Sequence, residues 1–362
     1  MSATEKRHRA WRVVRPALVA GLAVVVGAGF WISVVPGGRE RLAHTYQRFT
    51  FQWLADRATE GLVDPQAKVV RLLEYVHANL ADPPSRKPIG DVEPIEILAA
   101  GRGWCDQQAG VLIQLVRTIP LDARLVFLQD GHGQSPHSVA EVRLHDTWRV
   151  LDPYLGLAPR NADGALATRE ELAGQPELLT AQAQARTLNG RGPAPNVAAM
   201  AQWFRQPPRI FNSWRGNRKA WFARLPTPLQ QAVVYGLQEL YLWSDTGVPD
   251  RTPSRQQLHR AQHHLLVGRS RAAEHLLKKL LAVEDPEMRE DATFFLARAY
   301  QAQGRFDEAA ALYLALRQEE RKGGWEAAAE AAFEALGRSG QRVEQAEATT
   351  MGSEADNGTG VP

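Results

Sequence analysis

One apolar segment near the start of the chain most constrains how it can fold. Residues 17–35 are 19 consecutive uncharged residues, and as an α-helix they would span roughly 28 Å, close to the hydrocarbon thickness of a bilayer. Five lysines and arginines lie within the first fifteen residues, so the positive-inside rule keeps residues 1–16 in the cytoplasm as a basic tail. The sequence therefore predicts a single-pass inner (plasma) membrane protein, with 17–35 as the transmembrane anchor and most of the chain periplasmic or extracellular.

The alternative to an anchor is a cleaved signal peptide, which has the same charged start. The apolar core of a signal peptide is usually about 7–15 residues long and ends at a small-x-small site. Here the apolar segment is longer and runs into Val34, Val35 and Pro36 without an Ala-x-Ala pattern. We therefore favour an uncleaved helix.

The charge and the cysteine count exclude several classes of partner. The formal charge of the 362 residues is +3, and the basic tail accounts for it, so no whole domain carries the positive field that nucleic-acid binding needs. Cys105 is the only cysteine, which rules out an intramolecular disulfide and a zinc site built on several thiolates. We expect no nucleic-acid partner, no cofactor and no metal.

Hydrophobic periodicity divides the remaining chain into helices followed by strands. Amphipathic helices are predicted between residues 39 and 80, and a further helix begins at Cys105. Short alternating or β-branched segments follow, which is typical of an antiparallel sheet: Ala123–Leu128, His137–Leu144 and Thr147–Leu151. This order predicts an α+β domain over residues 39–185.

Residues 186–254 are predicted to be a helical connecting region rich in aromatic and basic residues. Between residues 203 and 224 cations and aromatic rings interleave without any acid, a pattern that suits a polyanion, a glycan or anionic lipid headgroups. An equally good interpretation places the aromatic rings in a core with solvated arginines between them. The candidate binding residues are Trp214, Arg215, Arg218 and Trp221.

The C-terminal part contains an internal repeat of 36 residues. Ala261, Gly268 and Ala273 recur as Ala297, Gly304 and Ala309, with glycine at the turn between paired helices. Residues 255–340 resemble tetratricopeptide repeats, which implies a protein partner, and residues 341–362 are predicted to be disordered. Three histidines in the first repeat helix have a spacing that can bind zinc, but no acidic residue follows as in H-E-x-x-H, so we expect a solvated face: His259, His263 and His264.

Cys105 is the strongest candidate for chemistry. It shares a helical face with Ala109, Leu112 and Val116, so on that evidence alone it would be a small buried apolar residue. It also directly follows G-R-G-W at a helix start, where unpaired N–H groups and the helix dipole favour a thiolate. This position suits a nucleophile.

A nucleophile needs a base and a group that orients the base. If the strands beginning at His137 and Thr147 form a hairpin, mirror pairing places Asp152 opposite residues 137–139. The carboxylate would then fix the imidazole tautomer and stabilise the imidazolium. His132 and His145 are weaker candidates because they fall in a glycine-rich loop and in the predicted turn.

The segments G-W-C-D-Q-Q-A-G and P-H-S-V-A-E-V, followed by W-R-V-L-D-P, resemble the papain-related core of transglutaminase-like proteins. The resemblance implies helices packed on an antiparallel sheet, with Cys105, His137 and Asp152 as a catalytic triad and Trp104 beside the oxyanion or substrate. Many relatives carry an aromatic residue after the cysteine, whereas here Trp104 precedes it and Asp106 follows. The implied chemistry is acyl transfer or amide hydrolysis through a thioester on a peptide, a protein or an envelope polymer. The alternative is a catalytically inactive scaffold that binds partner proteins at the membrane.

Overall fold

The computed structural model describes residues 37–82, 92–179, 197–214, 218–244, 252–318 and 324–337. The predicted basic tail, the anchor at 17–35 and the tail at 341–362 lie outside the described residues. Within the described ranges, none of the helices has the length and apolar character needed to cross a bilayer.

Within the described residues, four helices precede the first strand, and the sequence analysis predicts those between residues 39 and 80 and the one that begins at Cys105. Helix α2 begins where the sequence places a cap, because the Asp64 carboxylate accepts a hydrogen bond from the Ala67 N–H at 2.8 Å and Pro65 takes the first helical position. The apolar faces of these helices form one continuous core with the sheet. Their bounds are Gly38–Ala58 for α1, Pro65–Asn79 for α2, Pro94–Ala100 for α3 and Cys105–Thr118 for α4.

The strands form one antiparallel sheet in the order β3-β2-β1-β4. Helix α4 packs against β1 and β2, while alternate strand residues such as Val126 and Val139 form a second core with Leu172 and Phe204 on the opposite face. The α+β class predicted from the sequence is confirmed. The strands are Ala123–Leu128 for β1, His137–Leu144 for β2, Thr147–Leu151 for β3 and Arg209–Trp214 for β4, and helices Arg169–Gly174 (α5) and Val197–Arg205 (α6) lie between β3 and β4.

Strand β4 corrects the prediction that residues 186–254 are a helical connection. Its backbone pairs with β1 in an antiparallel register that matches Val126 with Ile210. The β-branched and aromatic residues of this segment favour a strand, and β1 offers an edge that pairing satisfies. The sheet of the predicted 39–185 domain therefore takes its last strand from beyond residue 185. Helices Ala220–Ala223 (α7) and Thr227–Ser244 (α8) complete the segment.

The C-terminal helices form two successive helix pairs with a core of their own. Gly268 and Gly304 adopt positive φ values of 83° and 76° at the turn of each pair, the backbone conformation for which glycine is favoured. The tetratricopeptide assignment stays a prediction. The helices are Pro253–Leu266 (α9), Ser270–Leu280 (α10), Pro286–Ala302 (α11) and Phe306–Gln318 (α12), followed by a helical segment over 326–337.

The helix pairs pack directly on the α+β domain. Helix α9 contacts α3, and the guanidinium of Arg102 lies 3.4 Å from the ring centroid of Trp325. Trp325 is 1% exposed and stacks on Phe294 at 3.8 Å between ring centroids. Trp325 of the C-terminal region therefore contacts the loop that leads into Cys105.

Candidate active site

Cys105 is the first residue of helix α4, and the loop before it is fixed by side chains of the same helix. The Gln108 amide donates a hydrogen bond to the carbonyl of Gly103 at 2.7 Å, and the Trp104 N–H donates to Gln107 Oε1 at 3.0 Å. Gly103 has no room for a side chain, because an added Cβ would lie 2.9 Å from the Ile97 side chain. These contacts hold a partly accessible thiol at the helix N-terminus.

The hairpin of β2 and β3 brings His137 and Asp152 together. Its turn residues, His145 and Asp146, have φ values of 47° and 64°, the pair of positive values that a tight two-residue turn requires. The register pairs Ala140 with Leu151. Asp152, the next residue of the chain, is therefore a diagonal neighbour of His137 across the two strands. His137 Nε2 and Asp152 Oδ2 are 2.6 Å apart, and both residues are buried.

The sulfur of Cys105 interacts with the same imidazole. Because the carboxylate occupies Nε2, the other ring nitrogen, Nδ1, is left for the sulfur. Burial alone would lower the pKa of His137, but the Asp152 carboxylate and the Cys105 sulfur outweigh it and raise that pKa to about 10. The imidazolium is therefore favoured at neutral pH, beside both the Asp152 carboxylate and the Cys105 sulfur.

Residues that the sequence argument did not select surround the imidazole. The ring of Tyr154 lies edge-on to His137 at 5.8 Å between centroids, and the ring of Trp203 lies at 6.4 Å. Burial and a hydrogen bond with the Asp82 carboxylate raise the pKa of Tyr154 well above its ordinary value. Tyr154 directly follows the D-P pair that identified Asp152, a local signal that would have revealed it. Trp203 lies about a hundred residues from Cys105, and nothing local marks it.

The remaining residues that the sequence analysis selected are Trp104 and the four candidate binding residues between 214 and 221. Trp104 is the N-cap residue of α4, directly before Cys105 in the chain, and is 37% exposed. Arg218 forms an internal ion pair with Asp56 at 2.6 Å and donates to the Thr118 carbonyl, which leaves it engaged within the fold. Trp221 is 55% exposed. Arg215 and the side chain of Trp214 lie outside the described residues.

The expectation of a solvated histidine face on the first repeat helix is wrong. His259, His263 and His264 are buried, with exposed fractions of 9%, 0% and 6%, because that face of α9 packs on α3 and the core domain. Glu96 of α3 contacts two of them, with its carboxylate oxygens 2.6 Å from His259 Nε2 and 3.0 Å from His263 Nε2. Burial would raise the pKa of Glu96, but the two imidazoles hold it well below its usual range.

Comparison with known proteins supports the resemblance carried by the cysteine, histidine and aspartate motifs. Comparisons of the chain with curated proteins and with solved structures found no significant match. The model of the transglutaminase-like superfamily matches residues 52–153, a span that includes Cys105, His137 and Asp152 together with β1 to β3 and helices α2 to α4. Residues 52–153 therefore form a domain of the transglutaminase-like superfamily.

Proposed function

We propose that the protein is a cysteine enzyme that performs acyl transfer or amide hydrolysis through a thioester on Cys105. One observation carries the proposal: a single buried imidazole contacts the sulfur of Cys105 and, at 2.6 Å, the carboxylate of Asp152. A nucleophile, an acid–base group and a group that orients it are the set that covalent acyl transfer requires.

The reaction starts from a thiolate beside the imidazolium of His137. The sulfur attacks the carbonyl carbon of an amide, and the imidazolium gives its proton to the departing amine, so a thioester forms and the C–N bond breaks. The neutral imidazole then takes a proton from water or from a second amine, which attacks the thioester and releases the free thiolate. Water yields a hydrolase and an amine yields a transferase. Asp152 keeps the ring oriented and stabilises its charged form throughout.

The N-terminus of α4 supplies hydrogen-bond donors for the oxyanion that develops during attack. The N–H groups in the first turn of a helix have no carbonyl acceptor within that helix, and those of Cys105 and Asp106 belong to the first turn of α4. Donors fixed before the reaction stabilise the tetrahedral intermediate strongly in a partly dry site. The Trp104 N–H is already bonded to Gln107, so Trp104 would contribute through its indole or by contacting the substrate.

The thiol chemistry can be tested without knowledge of the substrate. Cys105 is the only cysteine, so iodoacetamide labelling followed by mass spectrometry reports one site. At pH 6.5 we expect the native thiol to be alkylated at least about tenfold faster than the thiol of the His137→Gln variant, since an adjacent cation favours the thiolate. The exposed Asp146→Asn variant, checked for the native fold by circular dichroism like the first, should label at the native rate.

Equal labelling of the native chain and His137→Gln would overturn the proposal and support the inactive scaffold. The substrate class can then be sought as an acyl adduct on Cys105 from native extracts, with Cys105→Ala as the control that cannot form one. Adding a primary amine during the reaction distinguishes transfer from hydrolysis, because only a transferase links that amine to the acyl group.

The wider setting of this activity is also part of the proposal. The apolar segment 17–35 and the basic residues before it favour a membrane anchor with the enzyme domain outside the cytoplasm. The helix pairs would recruit a protein partner, and the substrates would be peptides, proteins or polymers of the cell envelope, as in exopolysaccharide assembly. Protease added to intact spheroplasts should degrade the domain if it is exported. Protection from the protease would refute export.

A further inference from the structure

Three side chains outside the active site converge at the contact between the α+β domain and the first C-terminal helix pair. Glu96 lies on α3, while His259 and His263 lie one turn apart on α9. Their ligand atoms, one carboxylate oxygen and two Nε2 atoms, all lie within 4.8 Å of one another. Two histidines at i and i+4 present both rings on the same helix face, and the carboxylate comes from the facing helix.

The cluster is almost closed to solvent. The side chains of Glu96, His259 and His263 have exposed fractions of 15%, 11% and 0%. Three polar groups that meet in such a place need either shared protons or a cation between them. The arrangement is also too enclosed to admit a substrate, which makes a structural site the fitting alternative to a catalytic one.

A second layer of side chains orients the ligands. The Tyr46 hydroxyl is 2.9 Å from Nδ1 of His263, and the Tyr241 hydroxyl donates to Oε1 of Glu96 at 2.5 Å. Metal-binding histidines characteristically use their second ring nitrogen in such a hydrogen bond, which fixes the ring and its tautomer. A hydroxyl can donate or accept, so Tyr46 suits His263 both with and without a metal on Nε2.

We propose that Glu96, His259 and His263 bind a divalent transition metal of the zinc class that joins α3 to α9. Binding would replace the protons that the two Nε2 atoms now share with the carboxylate, and Tyr46 would then accept the proton of Nδ1. Two imidazoles and one carboxylate favour zinc or a similar ion over Mg²⁺ and Ca²⁺, which prefer oxygen ligands. A water molecule would complete the four ligands that zinc prefers.

The site would connect the C-terminal helix pairs to the segment that carries the nucleophile. Helix α3 ends at Ala100, and only four residues separate it from Cys105. Because α9 contacts α3, a metal bridge between the two helices would fix the helix pairs relative to this segment. The inference is independent of the chemistry proposed for Cys105.

The experiment measures zinc on the full-length chain, purified in detergent and first stripped with a chelator. After equilibration against buffered free zinc, the native chain should hold about one zinc per chain and show a higher unfolding temperature. Glu96→Gln should lose the zinc and the temperature shift. Tyr46→Phe should keep the site but weaken zinc binding about 10–100-fold. Mg²⁺ at the same concentration should produce no shift.

A matched control addresses zinc bound at the surface. Glu40 and His44 form an exposed acid–histidine pair 3.6 Å apart, so His44→Asn should leave the zinc content unchanged. Absorption of Co²⁺-loaded native chain provides a test that needs no variant, because tetrahedral Co²⁺ with nitrogen and oxygen ligands has a strong visible band. A folded native chain that binds no zinc and shows no such band, or zinc retained by Glu96→Gln, would overturn the proposal.

Discussion

Replacing Asp152 by asparagine removes the negative charge beside the imidazole of His137 and hardly changes the shape of the side chain. The two side chains are 2.6 Å apart, and Asp152 is 3% exposed, so solvent does not screen the change. With the carboxylate present, the pKa of His137 rises to about 10 even though burial opposes the charged ring. Relative to the ordinary value of about 6.5, this is a preference for the imidazolium of roughly 5 kcal/mol, at about 1.4 kcal/mol for each pKa unit. Without the carboxylate, burial is opposed only by the Cys105 sulfur, so that pKa should fall well below about 10.

Histidine-selective NMR measures this change directly. The chain has ten histidines, and the resonance of His137 is the one missing from the His137→Gln spectrum. We expect its midpoint to fall from about pH 10 in the native chain by at least about one pH unit in Asp152→Asn. Asp146→Asn, an exposed turn variant at positive φ, should leave it in place. An unchanged midpoint in Asp152→Asn would refute the argument that the carboxylate sets the charge of the ring.

The same pair makes stability depend on pH with a definite sign. The folded-state pKa of His137 is raised above the unfolded value, so the pair contributes its full stability below about pH 6.5, and this contribution is lost as the pH rises toward about 10. Urea unfolding should therefore show the native chain losing its advantage over Asp152→Asn across that interval. In triad enzymes, loss of the orienting carboxylate lowers kcat about 10⁴-fold, and we expect a comparable loss once a substrate is known.

Two further predictions concern packing around α4. Gly103→Ala places a Cβ 2.9 Å from the buried Ile97 side chain, so urea unfolding should show a loss of about 1–3 kcal/mol and iodoacetamide should label Cys105 more slowly. Gly131→Ala, which meets nothing within 4 Å, should change neither, and a native labelling rate in Gly103→Ala would contradict the close fit. Leu112→Ala shortens a side chain that is 0% exposed and leaves a cavity, so it should lower the free energy of unfolding by about 2–5 kcal/mol. Leu314→Ala, at a residue 39% exposed, should cost clearly less, and equal losses would contradict the predicted core.

The hairpin that carries His137 and Asp152 was accessible from sequence because its information is local. Strand alternation sets which residues share a face, and a two-residue turn fixes the register. The turn at His145 and Asp146 therefore determines that Asp152 lies near the start of β2. The start of the helix at Cys105 could be predicted equally well, because Gly101 and Gly103 precede it and the apolar residues after it recur with helical spacing. The path of the chain that brings this helix end to the sheet came from the family resemblance.

The contacts that sequence reasoning missed join residues far apart in the chain. Glu96 and His259 are 163 residues apart, and no periodicity within α9 shows that an acid from α3 will meet its histidines. The histidine face looked polar and was therefore expected in solvent, although paired polar groups can be buried. The same holds for Arg218, a candidate binding residue in the sequence, because its partner Asp56 belongs to α1.

The position of Trp203 has a practical consequence for the choice of a fragment to study. This ring, which flanks His137, and the strand that completes the sheet both come from residues after the span that matches the superfamily. A fragment trimmed to 52–153 would expose the edge of β1 and remove the Trp203 ring from beside the imidazole of His137. The smallest piece worth assaying must extend through residue 214, so homology alone would place the cut in the wrong position.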